Sequence, residues 1–284
     1  SLVLLKNQNN DFTKEARMIA LRKCYKANDA SSIYDYAMQL LGKSLKDVHS
    51  EIQNDAGKGA LGIAVEEEHF GYKRNSKSEP DFKDAGLELK CSSLKHLKDD
   101  SLVSKDKLVL NIINFVDEKK VNLFDKSSFW KKNKRLLLMF YLHEKGAHYL
   151  DYVFKLIRTW NLSERKLDLK IIKGDWSVIQ NKINANEAHT LSESDTFFLS
   201  ASMKGSRSGA EMRKQSGSGI PAQQRAYTLK SCYLNTIIMD SLNNPSLCEG
   251  LGLSEKKRKS IVAKYAKVEG KKFVVGNCKY DYVV

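Results

Sequence analysis

Residues 79–93 read EPDFKDAGLELKCSS, and the reading of this stretch decides the fold. GLELKCSS follows the turn-forming residues DAG and alternates apolar with polar side chains, which predicts a half-buried strand. Side chains alternate across a strand, so Leu87, Leu89 and Cys91 are expected to enter a core. Glu88 and Lys90 then share the opposite face, roughly 7 Å apart at their Cα atoms. The turn at Gly86 swings Asp81 back toward Glu88. Two carboxylates held together repel, and one takes up a proton unless a cation lies between them. Mg2+ is a hard cation that takes oxygen ligands and keeps several waters. A lysine beside it orients or helps deprotonate one of those waters, and phosphodiester hydrolysis needs this set of groups. The competing reading is plain. Asp followed by Glu-x-Lys is a loose pattern that recurs by chance, and on a solvated edge strand it is an ordinary surface ion pair.

Upstream, residues 12–54 carry apolar residues at three-and-four spacing and predict helices, with Ser44 as a cap ahead of Leu45 and Val48. GKGALGIAVEEEHFG, 57–71, predicts a helix entered through glycines, with Leu61, Ala64, Val65 and His69 on its inner face. Downstream, DKLVLNIINF, RLLLMFYLHE, YLDYVFKLIRTWNL and DTFFLSAS predict strands, and GDWSVIQNKINANEA and SCYLNTIIMDSL predict helices. Residues 203–227 are rich in glycine, serine and basic side chains and read as one long exposed loop, a functional feature in a compact domain.

The chain has 284 residues, 48 Lys+Arg against 34 Asp+Glu, and a net charge of +14, which favours a polyanionic partner, nucleic acid first. Its 42% apolar and 29% charged residues suit a globular protein rather than a disordered one. No apolar run is long enough for a membrane span, and the start SLVLLKNQNND lacks the basic n-region and h-region of a signal peptide. The expected compartment is the cytoplasm. The five cysteines form no CxxC pair, so reduced thiols are expected rather than a disulfide framework or zinc site.

The text of the chain resembles the MutH-like endonucleases of the PD-(D/E)xK superfamily, and among them the type II restriction enzymes of the Sau-three-A type, which cut at GATC. The resemblance rests on GKGALGIAVEEEHFG and EPDFKDAGLELK, then SKDKLVLNIINF, SSFWKKNKRLLLMFY, IIKGDWSVIQNKINANEAHTLSES and PAQQRAYTLKSCYLNTII in family order from about residue 30 to 242. It implies an α/β fold, a restriction-endonuclease-like (PD-(D/E)xK) core with a mixed central sheet flanked by helices. The domain then covers 1–242 as two sub-lobes around a DNA cleft, with 243–284 a basic C-terminal appendage or the start of a further domain. The resemblance makes Asp81 and Glu88 metal ligands, Lys90 the catalytic lysine and Glu66 a supporting carboxylate, where a solvated helix glutamate beside Glu67 and Glu68 is the alternative. Lys132 matches the lysine that approaches the scissile phosphate, with Lys131, Lys134 and Arg135 as neighbouring registers.

The same resemblance places base reading in MKGSRSGAEMR, with Lys204 or Arg207 reaching guanine O6 and N7, and Gly205 and Ser206 beside them. QQRAYTLK becomes a second recognition segment, with Arg225, Tyr227 and Lys230 facing DNA. The chain departs from the mismatch-repair members here, because Tyr227 is followed by Thr228 rather than a second aromatic. The implied activity is Mg2+-dependent hydrolysis of double-stranded DNA at GATC. A strand-nicking mismatch-repair enzyme and a catalytically silent DNA-binding or allosteric module are the alternatives. GATC is self-complementary, so cutting both strands needs two active sites or two visits by one. A monomer in isolation, able to dimerise on DNA, meets either requirement.

Overall fold

The computed structural model describes residues 15–49, 52, 59–72, 78–98, 101–205, 211–265, 267–269, 272–275 and 278–281. Its central sheet has four strands. β1 (Glu88–His96) pairs antiparallel with β2 (Leu102–Ser104) at its far end, and parallel with β4 (Arg135–Leu142), which pairs antiparallel with β5 (Phe154–Asn161). The order β2-β1-β4-β5 makes the sheet mixed. β4 is the strand that divides the molecule. Its sequence RLLLMFYL is apolar on both faces, as a strand covered on both sides must be. Leu136, Leu138 and Phe140 enter a larger core, while Leu137 and Met139 enter a smaller one on the other face. Each fully buried leucine of this kind stabilises the fold by about 1.5–3 kcal/mol relative to exposure.

The smaller core is closed by α2 (Ala30–Ala37), α3 (Leu45–Val48) and α4 (Ala60–Ala64), and helical residues 15–22 (α1) reach Gly71 through a hydrogen bond donated by Arg22 Nε at 2.6 Å. Ser44 caps α3 as expected, in a reciprocal capping box with Asp47. The larger core packs α6 (Ser128–Asn133), α7 (Lys166–Asn184) and α8 (Ser231–Leu242) with a second sheet. α7 begins earlier than the expected 174. That sheet has the order β3-β9-β6 and is antiparallel throughout, from β3 (Leu108–Ile112), β9 (Arg225–Leu229) and β6 (Leu199–Met203).

The stretch read as one long loop, 203–227, is corrected. It contains the hairpin β7 (Met212–Gln215) and β8 (Ser218–Gln223) and the first residues of β9. Ser216 and Gly217, the latter at φ +82°, make the hairpin turn, and the segment's apolar residues are too few to show a strand period. Beyond α8, Cys248, Leu251 and Ile261 are buried with the larger core, the last on α9 (Glu255–Tyr265). Lys267–Glu269, Lys272–Val275 and Cys278–Asp281 form a small antiparallel sheet.

Candidate active site

Asp81 and Glu88 are joined by a tight hairpin. Phe82 and Leu87 exchange backbone hydrogen bonds at 2.9 and 3.1 Å, and Gly86 takes φ +60° to close the turn. The Asp81 amide donates to Glu88 Oε2 at 3.0 Å, and the Leu89 amide donates to Asp81 Oδ2 at 3.0 Å. Backbone geometry therefore fixes each carboxylate against the other's segment. Leu87 and Leu89 enter the smaller core as expected, and Cys91 packs against it. Glu88 projects to the opposite face of the sheet with 0% exposure.

Two lysines meet that buried carboxylate. Lys90 Nζ is bonded to Glu88 Oε1 and also donates to the Leu89 carbonyl at 3.1 Å. Lys132 Nζ lies 3.6 Å from the same Oε1. α6 delivers Lys132. Ser127 caps the helix by accepting from the Trp130 amide, and buried Asn133 ties it to β3 by donating to Asn111 Oδ1 at 2.7 Å. Lys131 and Lys134 are exposed, so of the four neighbouring cations in the sequence it is Lys132 that the fold turns toward Glu88.

Glu66 joins from α4's continuation. The chain widens into a π turn over Val65–His69, a distortion common at functional sites. Leu61, Ala64, Val65 and His69 are buried on the inner face as expected, and half-buried Glu66 faces the carboxylate pair. Burial and then Asp81 push the Glu66 carboxyl up to about 7, against the pull of Lys90 and Lys132. Burial likewise raises Glu88 to about 7, opposed by Lys90 and Lys132 and helped by Asp81. Burial disfavours the Lys90 ammonium, but Glu88 and Asp81 outweigh it and hold its pKa above the ordinary lysine value. A cleft of about 470 Å³ opens beside these groups, lined by Glu66, Lys90, Ser93, Asp106 and Lys107 among others.

Among the described residues no three His, Cys, Asp or Glu side chains form a ready coordination cage. The donor chemistry still fits a hard divalent cation. Mg2+ is usually held by one or two carboxylates together with substrate phosphates rather than by an all-protein shell. Asp81 and Glu88 supply that pair, and the Glu66 and Glu88 carboxyls, raised by burial and by the charge of Asp81, are what a cation would relieve.

The base-reading residues divide. Lys204 and Gly205 are exposed at the end of β6, and Gly205 has φ +103°, a conformation that favours glycine. Ser206 and Arg207 lie outside the described residues. Arg225, Tyr227 and Lys230 do not present the surface expected of them. Arg225 is 8% exposed and donates through Nη1 to the Ala201 carbonyl at 3.1 Å. Tyr227 is 0% exposed, with its ring against Phe129, because it alternates inward with Leu229 on β9. Half-buried Lys230 donates to the Thr196 carbonyl. In the described structure these three build and brace the β3-β9-β6 sheet.

Two bracing residues were not singled out in the sequence. Asp175 on α7 accepts from the amides of Phe197, Phe198 and Leu199 at 2.7–2.8 Å, which fixes the start of β6. Its position on the apolar face with Ile172 and Ile179 was the available signal. Gln224 accepts at its carbonyl from the Lys204 amide at 2.9 Å and donates its own amide to the Glu211 carbonyl at 2.8 Å. It clamps both ends of the segment between. Nothing in its own neighbourhood of the sequence marks that role.

Residues 70–175 match the family described as MutH, DNA mismatch repair enzyme. The chain is also 37% identical over 207 residues to Type II restriction enzyme Sau3AI of Staphylococcus aureus. That match covers 73% of this chain and 42% of the relative, so the chain spans less than half the relative's length. The mixed sheet flanked by helices is the restriction-endonuclease-like fold that goes with this family.

Proposed function

We propose that the chain is a MutH-like, site-specific deoxyribonuclease of the type II restriction kind, hydrolysing double-stranded DNA at GATC with Mg2+. One observation carries the reading: two lysines from separate elements converge on a fully buried glutamate that is hydrogen-bonded to the segment of a second acid. A surface ion pair needs none of this. Burial of such charges costs several kcal/mol per ion and calls for a chemical use.

Asp81 and Glu88, with Glu66 beside them, would hold the divalent ion, which when bound polarises the phosphate and lowers the pKa of a coordinated water. Lys90, held on Glu88, orients or helps deprotonate the attacking water and stabilises negative charge developing on the phosphate. Lys132 supplies a second positive charge to a non-bridging phosphate oxygen. Lys204 reads bases from the exposed end of β6.

The name of the matched family favours a second reading, in which the enzyme nicks one strand during mismatch repair. Incubation of GATC plasmid with Mg2+ at low salt separates the two. Linear product supports restriction and persistent nicked circles support repair. Intact plasmid that is nevertheless bound points to a silent binding module. The proposed state is a monomer that dimerises on DNA. The proposed compartment is the cytoplasm. Among the described residues no helix is long and apolar enough to cross a membrane.

A further inference from the structure

The β7–β8 hairpin is anchored far better than its packing requires. At its turn, Lys119 Nζ donates to the Ser216 carbonyl at 2.8 Å and to Asn186 Oδ1 at 2.6 Å. Asn186 itself sits at φ +63°. Gln215, buried, accepts from the Ala188 amide at 2.8 Å and donates to the Ile220 carbonyl at 2.7 Å. At its base, Gln224 Nε2 donates to Glu211 Oε2 at 3.1 Å, and the Gln224 backbone joins the hairpin to the end of β6. Between these anchors Met212, Arg213 and Lys214 are all exposed.

A strand exposed at three successive residues contributes little apolar burial. Buried polar anchors at both ends make sense when its outer surface must hold a fixed position. That surface is basic. Glu211 pairs with Arg213 Nη2 at 2.9 Å and orients the guanidinium, and Lys214 follows it. A second cleft, of about 540 Å³, lies between β7 and residues 112–116, lined by Phe115, Met212, Arg213 and Lys214 among others. The hairpin emerges next to Lys204, the residue placed on the bases.

We propose that the hairpin is a phosphate-contacting arm, with Arg213 and Lys214 held against the DNA backbone beside the bases read from the Lys204 loop. The proposal rests on the nuclease reading above. Phosphate contacts set register and carry no sequence information, and each releases condensed counterions. The arm is therefore expected to contribute affinity and salt dependence, leaving sequence preference to Lys204.

Binding of the full chain to a GATC duplex and to a scrambled duplex, without divalent metal and across a salt series, tests this. Arg213→Gln and Lys214→Gln lie on exposed positions, and circular dichroism melts verify that the fold is kept. Each substitution is expected to reduce the slope of log K against log salt by about 0.9, and affinity for both duplexes is expected to fall by the same factor. Lys119→Met, which frees the hairpin turn without touching the basic face, is expected to weaken binding to both duplexes alike. An unchanged slope in the Arg213→Gln/Lys214→Gln double variant overturns the proposal, as does a loss confined to the GATC duplex. If the wild type cleaves GATC DNA while the double variant matches its slope, the arm is wrong and the nuclease reading stands. If the wild type binds neither duplex, both fall together.

Discussion

The amide of Asp81 donates to Glu88 Oε2, so the peptide backbone of one metal-binding candidate grips the carboxylate of the other. The two acids are locked as a unit before any ion or DNA arrives. Such preorganisation is what an electrostatic catalyst requires, because nothing need reorganise when charge develops.

Lys90→Ala removes the ammonium bonded to Glu88 and is expected to lower cleavage by about 10²-fold or more while DNA binding persists. Single-turnover cleavage beside equilibrium binding checks it. Cleavage at near wild-type rate would remove Lys90 from the catalytic machinery.

Lys204→Ala is expected to narrow the preference for GATC over near-cognate sites by about 1–3 kcal/mol, the size of one lost bidentate contact. The ratio of kcat/KM on matched duplexes measures it. Equal loss on every duplex would make Lys204 a phosphate contact instead.

At Tyr227 the structure replaces a DNA contact with a core position. Its hydroxyl, Trp176 Nε1 and Glu118 Oε2 are buried near one another without a well-formed hydrogen bond. Tyr227→Phe should change stability by no more than about 1 kcal/mol, since no good bond is lost. Tyr227→Ala should cost about 3–5 kcal/mol through the cavity it leaves. Denaturant titration measures both. A Tyr227→Phe variant with native stability but weakened DNA binding would restore the contact role.

Much of the candidate site's geometry was legible because it is local. Asp81, Glu88 and Lys90 lie within one hairpin, and period-two alternation told which face each would take. Lys132 needed a family resemblance and then the fold, since four cations crowd one short helix end and sequence spacing does not choose among them. The recognition segment misled for a physical reason. RAYTL is buried at every residue, so its polar Arg225 and Thr228 set up no in-and-out alternation to signal that Tyr227 turns inward, and its true neighbours, Phe129 and Trp176, lie far off in the chain. Arg225 likewise looked like a DNA contact because arginine is seldom 8% exposed.

His69 supplies a pH test away from the catalytic acids. Its Nε2 lies 3.2 Å from the Tyr36 carbonyl and must donate to it, so Nδ1 accepts from His49 Nε2 at 3.0 Å. Burial lowers its pKa to about 4, with the Tyr36 carbonyl opposing and His49 adding to the drop. The unfolded chain, with an ordinary histidine near 6.5, binds more protons below that pH. Stability is therefore full above about pH 6.5 and declines as pH falls toward about 4, by on the order of 3 kcal/mol from this group. His69→Gln should flatten that part of the curve relative to wild type in urea titrations between pH 7.5 and 5. Parallel curves would disprove the assignment.

The clamp at Gln224 has an evolutionary corollary. Lys204 and Glu211 meet on one glutamine's backbone, so the chain leaves and re-enters the sheet at neighbouring points. Lengthening a closed segment costs little, with each doubling adding only about 0.6 kcal/mol. Under the proposed function, in which Lys204 reads bases, residues exchanged between Lys204 and Glu211 are expected to alter target choice while the Gln224 clamp stays in place.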